Sequence, residues 1–161
     1  MKTLSHLLLC AVALLTCGCE KPIFERPIVD WAPVVFGIIV EDSDGNDLLN
    51  PSSDNFLASR VEFDWCDKTF VYDYSTTPPI TRAYLAKLTN PELRTQNGRY
   101  MLCFGEIAGD KTHDEDLTIS WPDGSVDIIH YHNRVNHYTL KADRTFALNG
   151  TECSNPIIIV K

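Results

Sequence analysis

Apolar and polar positions alternate with a period of two through much of the chain. In residues 61–65, Val61, Phe63 and Trp65 fall on one face and Glu62 and Asp64 on the other, the pattern of a half-buried strand. Residues 69–74 follow after Asp67-Lys68 and predict a hairpin with it. Residues 34–40, Val-Val-Phe-Gly-Ile-Ile-Val, form a β-branched run of strand length and predict the first core strand. Further strands are expected over 99–107, bounded by Asn97-Gly98 and Gly109-Asp110, over 117–121 and 125–131, over 135–140 and 145–148, and over 156–161. Pro122-Asp123-Gly124 supplies a hairpin turn and Asn149-Gly150 another. Residues 80–88 read as a strand or crossover after the break at Thr76-Thr77-Pro78-Pro79, and Ser52–Asn55 as a loop able to start one helical turn through Phe56 and Leu57. Eight or nine short strands without a helical period predict an all-β fold with under a tenth of its residues helical. The expected architecture is an antiparallel two-sheet β-sandwich, immunoglobulin-like or transthyretin-like.

The first residues break this pattern. Lys2 precedes an apolar run over 7–15, and Thr16-Cys17-Gly18-Cys19 follows. A basic start, a short apolar core and small residues before a cut are the plan of a secretory signal, and the run is shorter than the roughly 20 residues a spanning helix needs. The cysteines in the cleavage zone resemble the lipobox of bacterial lipoproteins, whose cysteine after the cut is acylated by chains such as palmitate. Gly18 immediately before it favours Cys19; Cys17, with Leu14 and Leu15 upstream, is the alternative. The expected organisation is a signal over 1–18, a lipidated tether over 19–32 and a β-sandwich domain over 33–161. Prolines 22, 27 and 33 keep the tether extended, while Ile28, Val29 and Trp31 give its second half enough apolar surface to dock as an edge strand.

Composition narrows the class. Removing the first 18 of 161 residues leaves 143, one domain's worth. With Lys2 gone, the 14 Lys and Arg become 13 against 22 Asp and Glu, a net charge of −9. Such a surface repels phosphate backbones and anionic headgroups, so no nucleic acid is expected and the membrane is met through the lipid. With Cys19 acylated, Cys66, Cys103 and Cys153 remain, an odd number that leaves the pairing open. Cys66 and Cys103, in apolar surroundings, are expected to be buried small hydrophobes.

The acidic stretch after the first strand has Gly45 where a calcium loop carries its sixth position. That register puts Val40 at position 1 and Pro51 at position 12, where carboxylates are needed, so the stretch reads as a turn. Residues 44–51, Asp-Gly-Asn-Asp-Leu-Leu-Asn-Pro, following an apolar strand and a lipobox, resemble a family of small lipoproteins of unknown function from gut Bacteroidetes. Ile119-x-Trp-Pro-Asp-Gly-Ser125 is consistent with that resemblance. It implies an all-β domain in the cell envelope, lipid-anchored to the outer membrane on its periplasmic or surface face, and implies no activity.

Three groups of residues carry candidate chemistry. His130 and His132 share a strand face and can approach one metal, with His137 as third ligand and His113 and Asp127 nearby. Tyr72, Tyr74, Tyr131 and Trp31 are candidates for an exposed aromatic ligand face. Enzymatic templates each lack a required residue: there is no Gly-x-Ser-x-Gly elbow, His-Glu-x-x-His or phosphate loop. The expectation is a non-catalytic, cofactor-free binding or structural module that meets a glycan or another envelope protein. The alternative is a metal-binding protein or metal-dependent enzyme built on His130 and His132.

Overall fold

The structure, a computed structural model, describes residues 31–76 and 90–161. The signal, Cys17, Cys19, most of the tether and the segment 80–88 lie outside the described residues. Ten strands are present among those described: β1 (Val34–Glu41), β2 (Arg60–Trp65), β3 (Lys68–Asp73), β4 (Glu92–Gln96), β5 (Arg99–Ile107), β6 (His113–Ser120), β7 (Val126–Asn136), β8 (Lys141–Leu148), β9 (Thr151–Cys153) and β10 (Ile157–Val160). They form a four-stranded sheet in the order β10-β1-β5-β4 and a six-stranded sheet in the order β3-β2-β6-β7-β8-β9. The chain is the two-sheet β-sandwich its alternation predicts. One pairing departs from antiparallel: β1 lies parallel to β10, with Ile38 opposite Ile157.

Alternation decides what lies inside. Val61, Phe63 and Trp65 of β2, Leu117 and Ile119 of β6, and Ile129 and Tyr131 of β7 point inward from the large sheet; Phe36, Ile38 and Val40 of β1 and Leu102 and Phe104 of β5 meet them from the small one. Phe36 is central. Its ring lies 5.5 Å from Trp65, 5.3 Å from Tyr131, 5.7 Å from Phe146 and 6.2 Å from Phe104, so it touches both sheets.

Four expectations change. The loop over 52–57 forms successive turns, Ser53 N–H donating to Asn50 O and Phe56 N–H to Ser53 O, and no helix. Residues 92–96 are a strand that alternation could not reveal, because β4 pairs on one side only and carries polar residues on both faces, with Glu92 and Arg94 ion-paired. The strands expected over 125–131 and 135–140 are not separate: β7 runs unbroken to Asn136, and the reversal comes at 137–140. Asn133 is fully buried and spends its amide on another loop, Nδ2 donating to Lys111 O at 2.5 Å while Oδ1 accepts from Arg144 Nε at 3.2 Å. An Asn whose side chain is occupied elsewhere has nothing left to stabilise a local turn.

Cys66 is the fourth. It sits with Asp67 at the tip of the β2–β3 hairpin, exposed, both residues at positive φ (49° and 59°), as a two-residue hairpin turn demands. Cys103 is buried as expected, and Cys66, Cys103 and Cys153 are all free thiols.

Candidate functional site

The outward face of the large sheet collects the polar chemistry. The six-residue alternation of β2 sends Asp64 outward, that of β6 sends Asp114, Asp116 and Thr118, and that of β7 sends His130 and His132. The antiparallel register sets Asp116 opposite His130 and Asp114 opposite His132. The result is a chain of contacts: Asp116 Oδ1 to His130 Nδ1 at 2.8 Å, His130 Nε2 to Asp114 Oδ1 at 3.2 Å, and Asp114 Oδ1 to His132 Nδ1 at 3.2 Å. Both ring nitrogens of His130 therefore face carboxylates. The hydrogen bond to Asp116 is the chief cause that raises the His130 pKa above the ordinary imidazole value; burial opposes it, and the negative charges of Asp116 and Asp114 add to the rise.

Beside this row an open groove of about 680 Å³ runs toward the β2–β3 hairpin, floored by Asp64, Asp116, Thr118 and His130 and rimmed by Asp67 and Lys68. Thr69 Oγ1 donates to Asp64 at 2.5 Å, which orients that carboxylate. Cys66 also lines the groove. Its thiol is pushed above its usual pKa by burial first and then by Glu115 and Asp67, so it is held as the weakly nucleophilic protonated form.

The other histidines go elsewhere. His113 faces inward, its ring 6.3 Å from Trp65 and 5.9 Å from Tyr131. His137 lies in the turn after β7, edge-on to the half-buried Trp31 with ring centroids 6.3 Å apart. The constellation of His130, His132 and His137 is thus not assembled, because β7 extends straight through 133–136 and carries His137 past its end. Among the described residues no group of three or more His, Cys, Asp or Glu side chains is placed to hold a metal ion.

Asp127 is also elsewhere. Buried on the inward side of β7, it accepts from Trp121 Nε1 at 2.8 Å, Lys161 Nζ at 2.6 Å and Asn149 Nδ2 at 2.9 Å. Burial alone would raise its pKa, but the hydrogen bonds from Lys161, Asn149 and Trp121 outweigh that and hold it below the ordinary carboxylate value. It ties the β6–β7 hairpin, the β8–β9 turn and the last residue together.

The aromatic face is dismantled in the same way. Tyr72 and Tyr131 are buried, at 4% and 0% exposure, because each has the inward parity of its strand. Tyr74 is exposed but packs edge-on against Phe56 at 5.2 Å. Asp64, Asp114 and Asp116 were missed as a set. The run His113-Asp-Glu-Asp116 has no apolar alternation to mark it as strand, and only cross-strand register brings its carboxylates to the histidines. The acidic loop after β1 is a turn as expected: Asp42 Oδ1 accepts from the Asp44 and Asn46 amides at 2.9 and 2.8 Å.

No protein-family model, curated protein or solved structure matches the chain.

Proposed function

We propose that this is an envelope lipoprotein, acylated at Cys19 and anchored to the outer membrane, whose β-sandwich is a non-catalytic binding or structural module. The observation that carries the reading is the state of its most reactive-looking side chain. His130 is clamped between Asp114 and Asp116 through both ring nitrogens, at 3.2 and 2.8 Å. When protonated, an imidazole held in this way donates from both ring nitrogens and has no lone pair left for a metal or a substrate proton. What the face offers is a row of carboxylate acceptors along an open groove, suited to a partner rich in hydroxyl or N–H donors, either a glycan or another envelope protein.

A second reading keeps one observation in its favour: cross-strand register sets His130 and His132 on one face with Asp114 between them. A metal there would have to displace the Asp114 and Asp116 contacts.

Two measurements test the proposal. Mass spectrometry of the native N-terminus is expected to find Cys19 acylated; an unmodified terminus at any residue other than Cys19 or Cys17 refutes the anchor. Adding zinc, copper or calcium is expected to leave the melting temperature unchanged. A metal at a hundred times its dissociation constant would add about 2.7 kcal/mol, so a clear upward shift abolished by His130→Ala with His132→Ala would establish the metal reading instead.

A further inference from the structure

The β7–β8 turn is built against its own local preferences. Leu140 occupies the left-handed region at φ 56°, where the other non-glycine residues among those described are Cys66, Asp67, Asn97 and Asn149. Asn and Asp tolerate that region; a bulky apolar side chain does not. Nor is Leu140 compensated by burial, since it is 39% exposed, and two positions earlier Tyr138 is 99% exposed. The turn itself is firm, with Asn136 Oδ1 accepting from the amides of Tyr138 and Thr139, both at 3.0 Å. A rigid tip thus holds an aromatic and an aliphatic side chain out in solvent, at a position where glycine would suit the backbone better. Backbone strain kept for the sake of an exposed side chain points to a use for that side chain.

Where the tip lies says what it meets. His137 of the same turn packs against Trp31. The next residue, Ala32, passes so close over Gly109 that a Cβ there would stand 2.2 Å from the Ala32 carbonyl oxygen. Trp31 and Ala32, where the described chain begins, therefore lie beside this tip. Cys19 is twelve residues before Trp31, a stretch that no polypeptide extends beyond about 40 Å. We propose that the β7–β8 tip is a foot that inserts Tyr138 and Leu140 into the membrane interface, next to the point where the tether arrives. The proposal rests on the lipid-anchored reading for the membrane's position. Tyr presents an apolar ring with a hydroxyl that stays at headgroup depth. Leu adds apolar area, and the exposed Lys141 at the start of β8 can reach up to phosphate along its apolar stem. The contact is with zwitterionic lipid, because a chain whose net charge is −9 once the signal and Lys2 are removed gains nothing from an anionic surface.

The test separates the foot from the anchor. Every described strand begins at or after Val34, so the chain from Glu20 onward keeps all of them and lacks Cys17 and Cys19. It is mixed with vesicles of phosphatidylethanolamine and phosphatidylcholine, with and without brominated acyl chains. Trp65 and Trp121 are buried, so bromine quenching is expected to reach only Trp31. Tyr138→Ser combined with Leu140→Gly is expected to cut vesicle partitioning by roughly tenfold. Leu140→Gly alone should raise the melting temperature while lowering partitioning, a pair of opposite effects that misfolding cannot produce. Absence of vesicle binding by the unaltered chain, or partitioning unchanged in the double variant, overturns the proposal. Neither outcome touches the anchor, which the mass of the native N-terminus decides.

Discussion

Asp127 and His130 stand three residues apart on β7, so one faces inward and the other outward, and their titrations run in opposite senses. The pKa of Asp127 is depressed, so the folded state releases its proton more readily than the unfolded chain. The stability it contributes is complete above the ordinary carboxylate value of about 3.9 and is lost as pH falls through the lower folded value. Asp127→Ala leaves the Lys161 ammonium, itself only 18% exposed, without its carboxylate, and should cost about 3 kcal/mol in urea unfolding. His130 behaves the other way. Its raised pKa means the folded state holds the proton more tightly, so the clamp stabilises fully below about pH 6.5 and fades as pH rises through the folded value. Proton NMR of the ring should place its midpoint above 6.5, and Asp116→Asn should bring it down. An unmoved midpoint in that variant would remove Asp116 as the chief cause.

At the scale of elements, the turns separate what is visible in residue types from what is not. Asn97-Gly98 and Asn149-Gly150 take φ values of 52° and 79°, and 49° and 83°, as Asn-Gly pairs do in two-residue hairpins. Cys66-Asp67 adopts the same conformation without the matching residues, and only the alternation on both sides signals the hairpin. Replacing the pair by Asn-Gly (Cys66→Asn with Asp67→Gly) should stabilise the protein by about 1 kcal/mol, seen as a higher urea midpoint at unchanged slope. Strand lengths were legible only where a strand crosses the core. Residues 117–119 show their alternation because one face is apolar, and 129–131 do so despite the outward Val126 and Ile128 and the inward Asp127 before them, whereas 114–116, 134–136 and 141–144 carry no apolar face to mark them. There the backbone pairing alone continues the strand, so β6, β7 and β8 are longer than their apolar patterns.

For the molecule as a whole, the core is one cluster joined across both sheets by Phe36. Phe36→Ala removes ring contacts with Trp65, Phe104, Tyr131 and Phe146 together and should cost about 3–5 kcal/mol, a large share of the 5–15 kcal/mol that holds a domain of this size folded. Deleting residues 157–161 is a second global test. It strips the strand parallel to β1 and the Lys161 partner of Asp127 at once, and should abolish the cooperative thermal transition. The class of fold, the inward set Val61, Phe63 and Trp65, and the hairpins of β2–β3, β6–β7 and β8–β9 were legible in the residues alone, because alternation and turn chemistry are local properties that a pleated, half-buried strand imposes on its own residues. The sequence could not determine that β10 lies parallel beside β1 or that Tyr72 and Tyr131 are interior. Nor could it show that Asp127 belongs to Lys161, or that Asp114 and Asp116 clamp His130. Each of those depends on which strand lies opposite which, and at what register. Register is settled by the mutual packing of two sheets, not by any segment alone.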